Sequence, residues 1–277
     1  MPALRERGST SDFLGLRPLM LDFSNYPLAV IFFIGLASFL AVSEIGWQLG
    51  SLRKGRASSN FSTLESAMLG LMALMLAFTF SMALSRFESR RDAVLNEANA
   101  IGTTALRARL LPEPQRSETL KLLREYVQIR LEIVRSATSL AERTPAVNRS
   151  NALQEALWQQ AKAMAAIDKG PVPTGLFIQS LNEMIDDQGK RLSALRNRIP
   201  NNVLITLFGI AAAAGAFAGY ASARDAERSR LPVYVIGLLV SAVVFLIIDL
   251  DRPSTGFITN SQQPMIDLAA SIAAFPD

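Results

Sequence analysis

Four charged side chains beside long apolar segments are the first residues that could carry chemistry. Glu44 lies one turn inside the end of the first apolar segment, whereas Asp249, Asp251 and Arg252 follow the last one. Charged groups at such positions usually pair with one another or reach the membrane surface. The alternative is that they border an ion path. We therefore predict an interfacial charged cluster of these four residues, and both roles stay open.

A second candidate group lies on the second apolar segment, which has one modestly polar face. Thr79, Ser81 and Ser85 lie there, beside Phe78 and Phe80. Hydroxyl groups on a membrane helix can serve helix packing, and in an oligomer they can line a pore that phenylalanine rings constrict. We take Phe78, Phe80, Ser81 and Ser85 as the candidate pore-lining residues.

Other kinds of chemistry have little support. The chain contains no cysteine and no histidine, which excludes disulfides, thiol nucleophiles, imidazole catalysis and metal sites built on those side chains. No phosphate-binding, metalloprotease or hydrolase motif is present in the sequence, and no pair of possible catalytic groups has a meaningful spacing. We predict no catalytic residue, no metal site and no cofactor, hence a protein that is not an enzyme.

The elements that must position these residues are four apolar blocks. Half of the 277 residues are hydrophobic and only 19% are charged. The blocks are long enough, at 1.5 Å per helical residue, to cross the hydrocarbon core of a bilayer. A cleaved signal peptide is the alternative for the first block, but that block is too long and no small-residue cleavage site follows it. The predicted transmembrane helices are residues 27–47, 66–85, 201–223 and 231–248.

Residues 86–200 are rich in charge and carry apolar residues at helical spacing. The apolar stripe of the second span continues through Val94 and Ile101, with Arg91 as its one polar member, and we expect this helix to end near Leu110. No alternating strand pattern or hairpin turn occurs. The pattern predicts an antiparallel helical bundle, bounded by the extended second and third spans.

Breaker residues divide the rest of this segment into three helices. One should run from Pro114 to just before Pro145, and the next should end at Gly170. Thr174 is the expected N-cap of the last, which leads into the third span. The predicted fold is all-α, with four transmembrane helices and an extramembrane bundle inserted between the second and third. Its parts are an N-terminal tail (1–26), two spans (27–85), the bundle (86–200), two spans (201–248) and a C-terminal tail (249–277).

The third span carries small residues at every fourth position. Ala211, Gly215 and Gly219 would let two helix backbones approach closely. Packing against another span of the same chain is the favoured interpretation, and a contact between subunits is the alternative.

Positive charge near the membrane bears on orientation. Four spans place both termini and the bundle on one side and two short loops on the other, and Lys and Arg are denser in the short loops. Because cytoplasmic loops are enriched in these residues, the density favours an extracytoplasmic bundle. The raw count within 15 residues of the spans, nine on the side of the bundle against six in the short loops, favours the reverse. Short loops weigh more in this rule, so we predict an extracytoplasmic bundle. The short-loop residues are Arg53, Lys54, Arg56, Arg224, Arg228 and Arg230.

The net charge of +4 does not predict a nucleic-acid partner. The basic residues alternate with acidic ones along helices and flank the spans, and no platform of aromatic and basic residues occurs. Anionic lipid headgroups explain them better, so the predicted surroundings are a lipid bilayer.

Several short motifs give the chain a family resemblance. The segments 78–83, 86–88, 96–103 and 110–112, followed by Asp-Leu-Asp-Arg-Pro at 249–253 and Gln-Pro at 263–264, resemble the bacterial bestrophin-like domain family, multi-pass membrane proteins. The resemblance implies kinship with the bestrophins, which are pentameric anion channels with four-span subunits, a cytoplasmic helical domain and a phenylalanine-containing neck on the second membrane helix. Phe78 and Phe80 are the positions that it suggests for a neck. Asp249 and Asp251 are too sparse for the acidic calcium clasp of animal bestrophins.

Two functional hypotheses follow. The first is a homo-oligomeric channel of the bacterial inner membrane, with inorganic anions as possible permeant ions and the second span along the path. The second is a membrane-anchored helical sensor or partner-binding scaffold, in which a small helix displacement carries the signal.

Overall fold

The computed structural model of the chain describes residues 26–52, 59–136, 140–168, 170–225, 229–253 and 256–275. Most of the predicted N-terminal tail and the loop residues Arg53, Lys54, Arg56 and Arg228 lie outside this part. Within it, the regular elements are all helical. They are α1 (Leu28–Ser51), α2 (Ser59–Ala108), α3 (Gln115–Ser136), α4 (Leu140–Ile167), α5 (Leu176–Arg196), α6 (Asn201–Arg224), α7 (Leu231–Asp251) and α8 (Gln263–Ala273).

Four of these helices confirm the predicted spans. The helices α1, α2, α6 and α7 each contain a segment that is long and apolar enough to cross a membrane. Pro27 precedes α1 and Pro232 lies in the first turn of α7, where a missing N–H costs no intrahelical bond. The all-α architecture expected from the sequence is therefore confirmed.

The spans α1 and α6 approach each other closely. A Cβ atom added to Gly219 would lie 2.0 Å from the carbonyl oxygen of Ser43, and one added to Gly46 would lie 2.1 Å from that of Ala216. Only glycine fits at both positions, because backbone atoms occupy the space that a side chain would need. The small residues of α6 thus pack against another span of the same chain, as the favoured interpretation predicted.

The segment between the second and third spans is a bundle of α2, α3, α4 and α5. The helix α2 runs without interruption from the apolar segment into this bundle, as predicted. The core is formed by buried apolar side chains, which include Ile101, Leu123, Leu157 and Phe177. A further helix, α8, lies in the predicted C-terminal tail and packs against α2 and α3.

Two local predictions in the bundle are wrong. The helix α3 ends at Ser136 and α4 begins at Leu140, so Pro145 lies inside α4 and does not follow the end of a helix. Pro145 is the sixth residue of α4, beyond the first N–H groups that have no intrahelical partner, so it removes one backbone hydrogen bond from the helix. Thr174 does not cap α5: its hydroxyl donates to Oδ2 of Asp168 at 3.2 Å, and Gly175 occupies the N-cap position.

The buried polar positions of α2 also differ from the prediction. Arg91 is exposed, whereas Arg90 and Glu97 are 2% and 0% exposed. One face of α2 contains residues at three-four spacing: Arg90, Val94, Glu97 and Ile101. Arg91 points about 100° away from Arg90 around the helix and so lies outside this face. The buried stripe of α2 therefore includes two charged residues.

Candidate functional site

The candidate pore-lining residues do not all lie on one face of α2. Phe78 is 62% exposed, and Ser81 and Ser85 are also exposed. Seven residues make almost two helical turns, so Phe78 and Ser85 lie nearly above one another, with Ser81 between them. Phe80 lies about 200° around the helix from Phe78 and packs, partly buried, against the apolar core of the spans. The structure thus brings Phe78, Ser81 and Ser85 together and separates Phe80 from them.

The same face of α2 continues beyond the apolar segment. Glu88 and Asp92 are exposed there. We call Phe78, Ser81, Ser85, Glu88 and Asp92 the outward face of α2. This face changes from apolar through hydroxyl-bearing to acidic over about 21 Å of helix.

The opposite face of α2 explains why the helix keeps this orientation. Ala83 and Thr79 are 0% and 1% exposed against the other spans. Thr79 therefore does not share a polar face with the exposed Ser81 and Ser85, and that part of the prediction is wrong. The hydroxyl of Thr79 donates to the carbonyl of Met75 at 2.7 Å, so its polarity is satisfied within the helix. Burial of this side turns the outward face away from the remaining described helices.

The four residues of the predicted interfacial charged cluster do not meet. Glu44 accepts a hydrogen bond from the hydroxyl of Tyr234 at 2.5 Å and pairs with Arg230 at 3.3 Å. Arg230 in turn lies 4.6 Å from the ring centroid of Trp47. These residues are at the end of α1 and the beginning of α7. Because α1 and α7 are antiparallel, Glu44 lies at the opposite end of the spans from Asp249, Asp251 and Arg252.

Those other three residues fasten segments of the chain near the end of α7. Asp249 is 1% exposed and accepts the backbone N–H groups of Phe257 and Ile258 at 2.8 and 3.0 Å. Asp251 accepts the backbone N–H of Ile199 at 3.0 Å. Arg252 donates from Nη2 to the backbone carbonyl of Tyr26 at 2.5 Å. These hydrogen bonds are to backbone groups, which favours the structural interpretation of these charges.

A buried ionic network in the bundle was missed by the sequence analysis. Glu97 on α2 pairs with Nε of Arg130 on α3 at 2.7 Å and with Nη1 of Arg191 on α5 at 2.5 Å. Arg191 also donates to Oε1 of Gln262 at 2.8 Å, just before α8. The available signal was the position of Glu97 in the apolar stripe of α2, three residues after Val94.

Burial and charge act in opposite directions on Glu97. Burial alone would raise the pKa of Glu97, but the guanidinium groups of Arg130 and Arg191 outweigh it and hold the pKa below its usual value. Burial, reinforced by the nearby carboxylate, raises the pKa of Tyr126 above its ordinary value. Glu97 is therefore the anion of the network, and the neutral Tyr126 hydroxyl accepts a bond from Gln154 at 3.2 Å.

Among the residues that the structure describes, no group of three or more carboxylates that could hold a metal ion occurs. Asp249 and Asp251 are each engaged by backbone N–H groups. The site that the geometry offers is thus the outward face of α2, which provides hydroxyl, aromatic and carboxylate groups along a line.

The fold and this face define the class as a four-span helical membrane protein whose second span extends into a bundle. The bestrophin-like domain model matches residues 36–265, which is most of the sequence. The chain belongs to the bestrophin-like domain family.

Solved structures agree with this assignment at the level of the fold. A mutant of a bacterial bestrophin homologue from Klebsiella pneumoniae superposes with a TM-score of 0.65 at 14% identity, over 89% of this chain and 96% of that one. A second mutant of that homologue gives a TM-score of 0.61 at 14% identity, over 88% and 96%. No functionally curated protein shows significant similarity to the chain.

Proposed function

We propose that the chain forms a homo-oligomeric ion channel in the bacterial inner membrane, with the outward face of α2 around the path. The observation that carries the proposal is the continuity of this face, from exposed Phe78 in the apolar segment to Glu88 and Asp92 beyond it. A symmetric ring of subunits would turn one outward face from each subunit towards a common axis and would enclose a path that one chain cannot form. The resemblance to the pentameric bestrophins implies about five subunits in such a ring.

Exposed apolar residues in the solvated part of α2 support assembly. Leu95 and Leu106 keep 45% and 54% of their surface although this part of the helix is surrounded by charged residues. Apolar side chains exposed along one helix are typical of contact surfaces between subunits. The expected partners are therefore other copies of the chain and the lipid bilayer, and we propose no catalytic step.

A pair of matched phenylalanines tests the path. Phe78 on α2 and Phe33 on α1 are 62% and 64% exposed, so truncating either removes the same group from a similarly open position. We expect Phe78→Ala to change single-channel conductance in planar bilayers and Phe33→Ala to leave it unchanged. A current that responds equally to both changes, or no current from the purified protein, would refute the channel.

The sign of the permeant ion's charge requires a separate measurement. The resemblance implies inorganic anions, but Glu88 and Asp92 place carboxylates on the outward face, and rings of carboxylates favour cations. The reversal potential under a potassium chloride gradient distinguishes the two classes. We expect Glu88→Gln with Asp92→Asn to increase the permeability of chloride relative to potassium.

The sensor or scaffold hypothesis has its own observation in the structure. Gln262, in the C-terminal segment, is hydrogen-bonded to Arg191 of the buried network, so the tail is coupled to the bundle. This hypothesis predicts a different protein bound in a fixed ratio after gentle purification, whereas the channel predicts a homo-oligomer alone.

A further inference from the structure

Three arginines gather where the bundle meets the spans. Arg86 and Arg90 lie on α2 just beyond its apolar segment, and Arg198 lies in the linker that enters α6. Arg90 donates from Nη2 to the carbonyl of Leu250 near the end of α7. The junction is thus built from α2, the linker between α5 and α6, and the end of α7.

Charges of both signs surround Arg90. In the described part of the chain, the charges that act on it are the carboxylate of Asp251 and the guanidinium groups of Arg198 and Arg86. The carboxylate of Asp251 is also shared, because it accepts the backbone N–H of Ile199 at 3.0 Å.

The most deeply buried of these side chains has two hydrogen-bond donors without an acceptor. Arg90 is 2% exposed, and its Nε and Nη1 atoms have no acceptor among the described residues. The Nε atom of Arg86 is also buried without an acceptor, although its Nη1 donates to Oδ1 of Asn197. A buried guanidinium group with unused donors is unfavourable unless an anion compensates its charge.

The outer part of the junction is open to a ligand. Arg86 and Arg198 are half-buried, and Asn197 is exposed. Arg86 immediately follows the second apolar block, and Asn201 begins the helix that contains the third, so the arginines lie at the level of lipid headgroups. Basic pockets between membrane helices at this level suit the phosphate of an acidic lipid, and guanidinium groups bind phosphate in a bidentate manner.

We propose that Arg86, Arg90 and Arg198 form a phosphate-binding site at the junction of the bundle and the spans. Arg86 and Arg198 contact the phosphate oxygens, and Arg90 supplies positive charge from beneath them. The headgroup of an acidic phospholipid and free inorganic phosphate offer this same chemistry. The site is independent of the proposed ion path, because Arg90 lies on the buried side of α2 and Glu88 on the outward face.

Binding to the purified full-length protein in a neutral detergent tests the proposal. The probes are dioctanoyl phosphatidylglycerol, zwitterionic dioctanoyl phosphatidylcholine, and sodium phosphate at matched ionic strength. The test variant is Arg86→Gln with Arg198→Gln. The control is Arg116→Gln with Arg149→Gln, which removes the same charge from exposed ion pairs with Glu113 and Glu132. Calorimetric titration gives the affinity, and circular dichroism verifies that each variant is folded.

We expect phosphatidylglycerol to bind the unmodified protein, and to bind the test variant about tenfold more weakly, as expected when charge-assisted bonds to phosphate are lost. The control variant should keep the affinity within about twofold, and phosphatidylcholine should bind weakly throughout, since exposed charges contribute little. Tight binding of sodium phosphate with the same dependence on Arg86 and Arg198 would assign free phosphate as the ligand. Weak binding of it would assign the lipid headgroup.

Two results would overturn the site. One is equal affinity of phosphatidylglycerol for the unmodified protein and the test variant. The other is an equal loss in the control variant, which would show a diffuse effect of net charge. The single change Arg198→Gln, in the linker outside the helices, provides the same comparison if the double variant does not fold.

Discussion

Replacing Gly219 with alanine should force α1 and α6 apart. The added Cβ atom would lie 2.0 Å from the carbonyl oxygen of Ser43 and 2.8 Å from its carbonyl carbon. A carbon and an oxygen atom in close contact are about 3.3 Å apart, so the helices must separate by on the order of 1.3 Å at this point. The obstructing atoms belong to the backbone of α1, which cannot rotate away as a side chain could.

The cost of this change follows from two opposing effects. Overpacking of a well-packed interior costs about 1–3 kcal/mol, whereas alanine gains up to about 1 kcal/mol over glycine in a helix interior. The difference between these effects spans about 0–3 kcal/mol. Because the obstructing atoms belong to the backbone, we expect Gly219→Ala to lower the free energy of unfolding by about 1–3 kcal/mol, in the upper part of this range. The separation would also loosen the neighbouring approach of Gly46 to Ala216, which lies on the same helix pair.

The same helix provides a matched control. A Cβ atom added to Gly209 of α6 would meet no heavy atom within 4 Å. Thermal unfolding in detergent, followed by circular dichroism at the helix band, should show a lower Tm for Gly219→Ala and an equal or higher Tm for Gly209→Ala. An unchanged or raised Tm for Gly219→Ala would refute the close approach of α1 and α6.

Three further predictions concern the bundle. Glu97→Gln should destabilise the protein by about 3–5 kcal/mol in denaturant unfolding, because two buried guanidinium groups lose their anion, whereas Glu132→Gln in an exposed pair should cost about 0–1 kcal/mol. Folding lowers the pKa of Glu97, so its stabilising contribution is present above the unfolded pKa and is lost as the pH falls through the folded value. When the free energy of unfolding is measured against pH, the unmodified protein should therefore lose this contribution on acidification, and Glu97→Gln should not. The positive-charge density predicts that an impermeant maleimide labels Gln159→Cys in intact cells and Ser51→Cys only after permeabilisation, and the reverse pattern would place the bundle in the cytoplasm.

The spans and bundle helices could be predicted because their signals are local. Uncharged blocks of suitable length identify the membrane helices, and three-four spacing identifies α2 beyond Ser85. The break before Leu140 could not be found this way, because a proline near a helix start and a proline after a helix end look alike in sequence. Pro145 was interpreted as a terminator when it lies in the second turn of α4.

Some of the charged contacts could be predicted from the sequence and others could not. Glu97, Arg130 and Arg191 come from three helices, and no pattern within one helix pairs them. The separation of Glu44 from Asp249, by contrast, was available from topology alone. With four antiparallel spans, the end of the first and the end of the fourth lie on opposite sides of the membrane, so the two carboxylates could not have formed one cluster.

The helix α2 links both functional hypotheses through its two faces. It is a single helix of 50 residues, about 75 Å long, and nothing in its sequence interrupts the segment between Phe78 and Glu97. Glu97 and Arg90, on the buried side, bind it to the bundle and to the end of α7. Any rotation or translation of the bundle must therefore move Phe78 with it, because a continuous helix transmits such motion with little bending. A channel gated from the bundle and a sensor that signals through α2 would use the same rigid element, and the matched pair Phe78→Ala and Phe33→Ala separates them, since only the channel predicts a current that depends on the outward face.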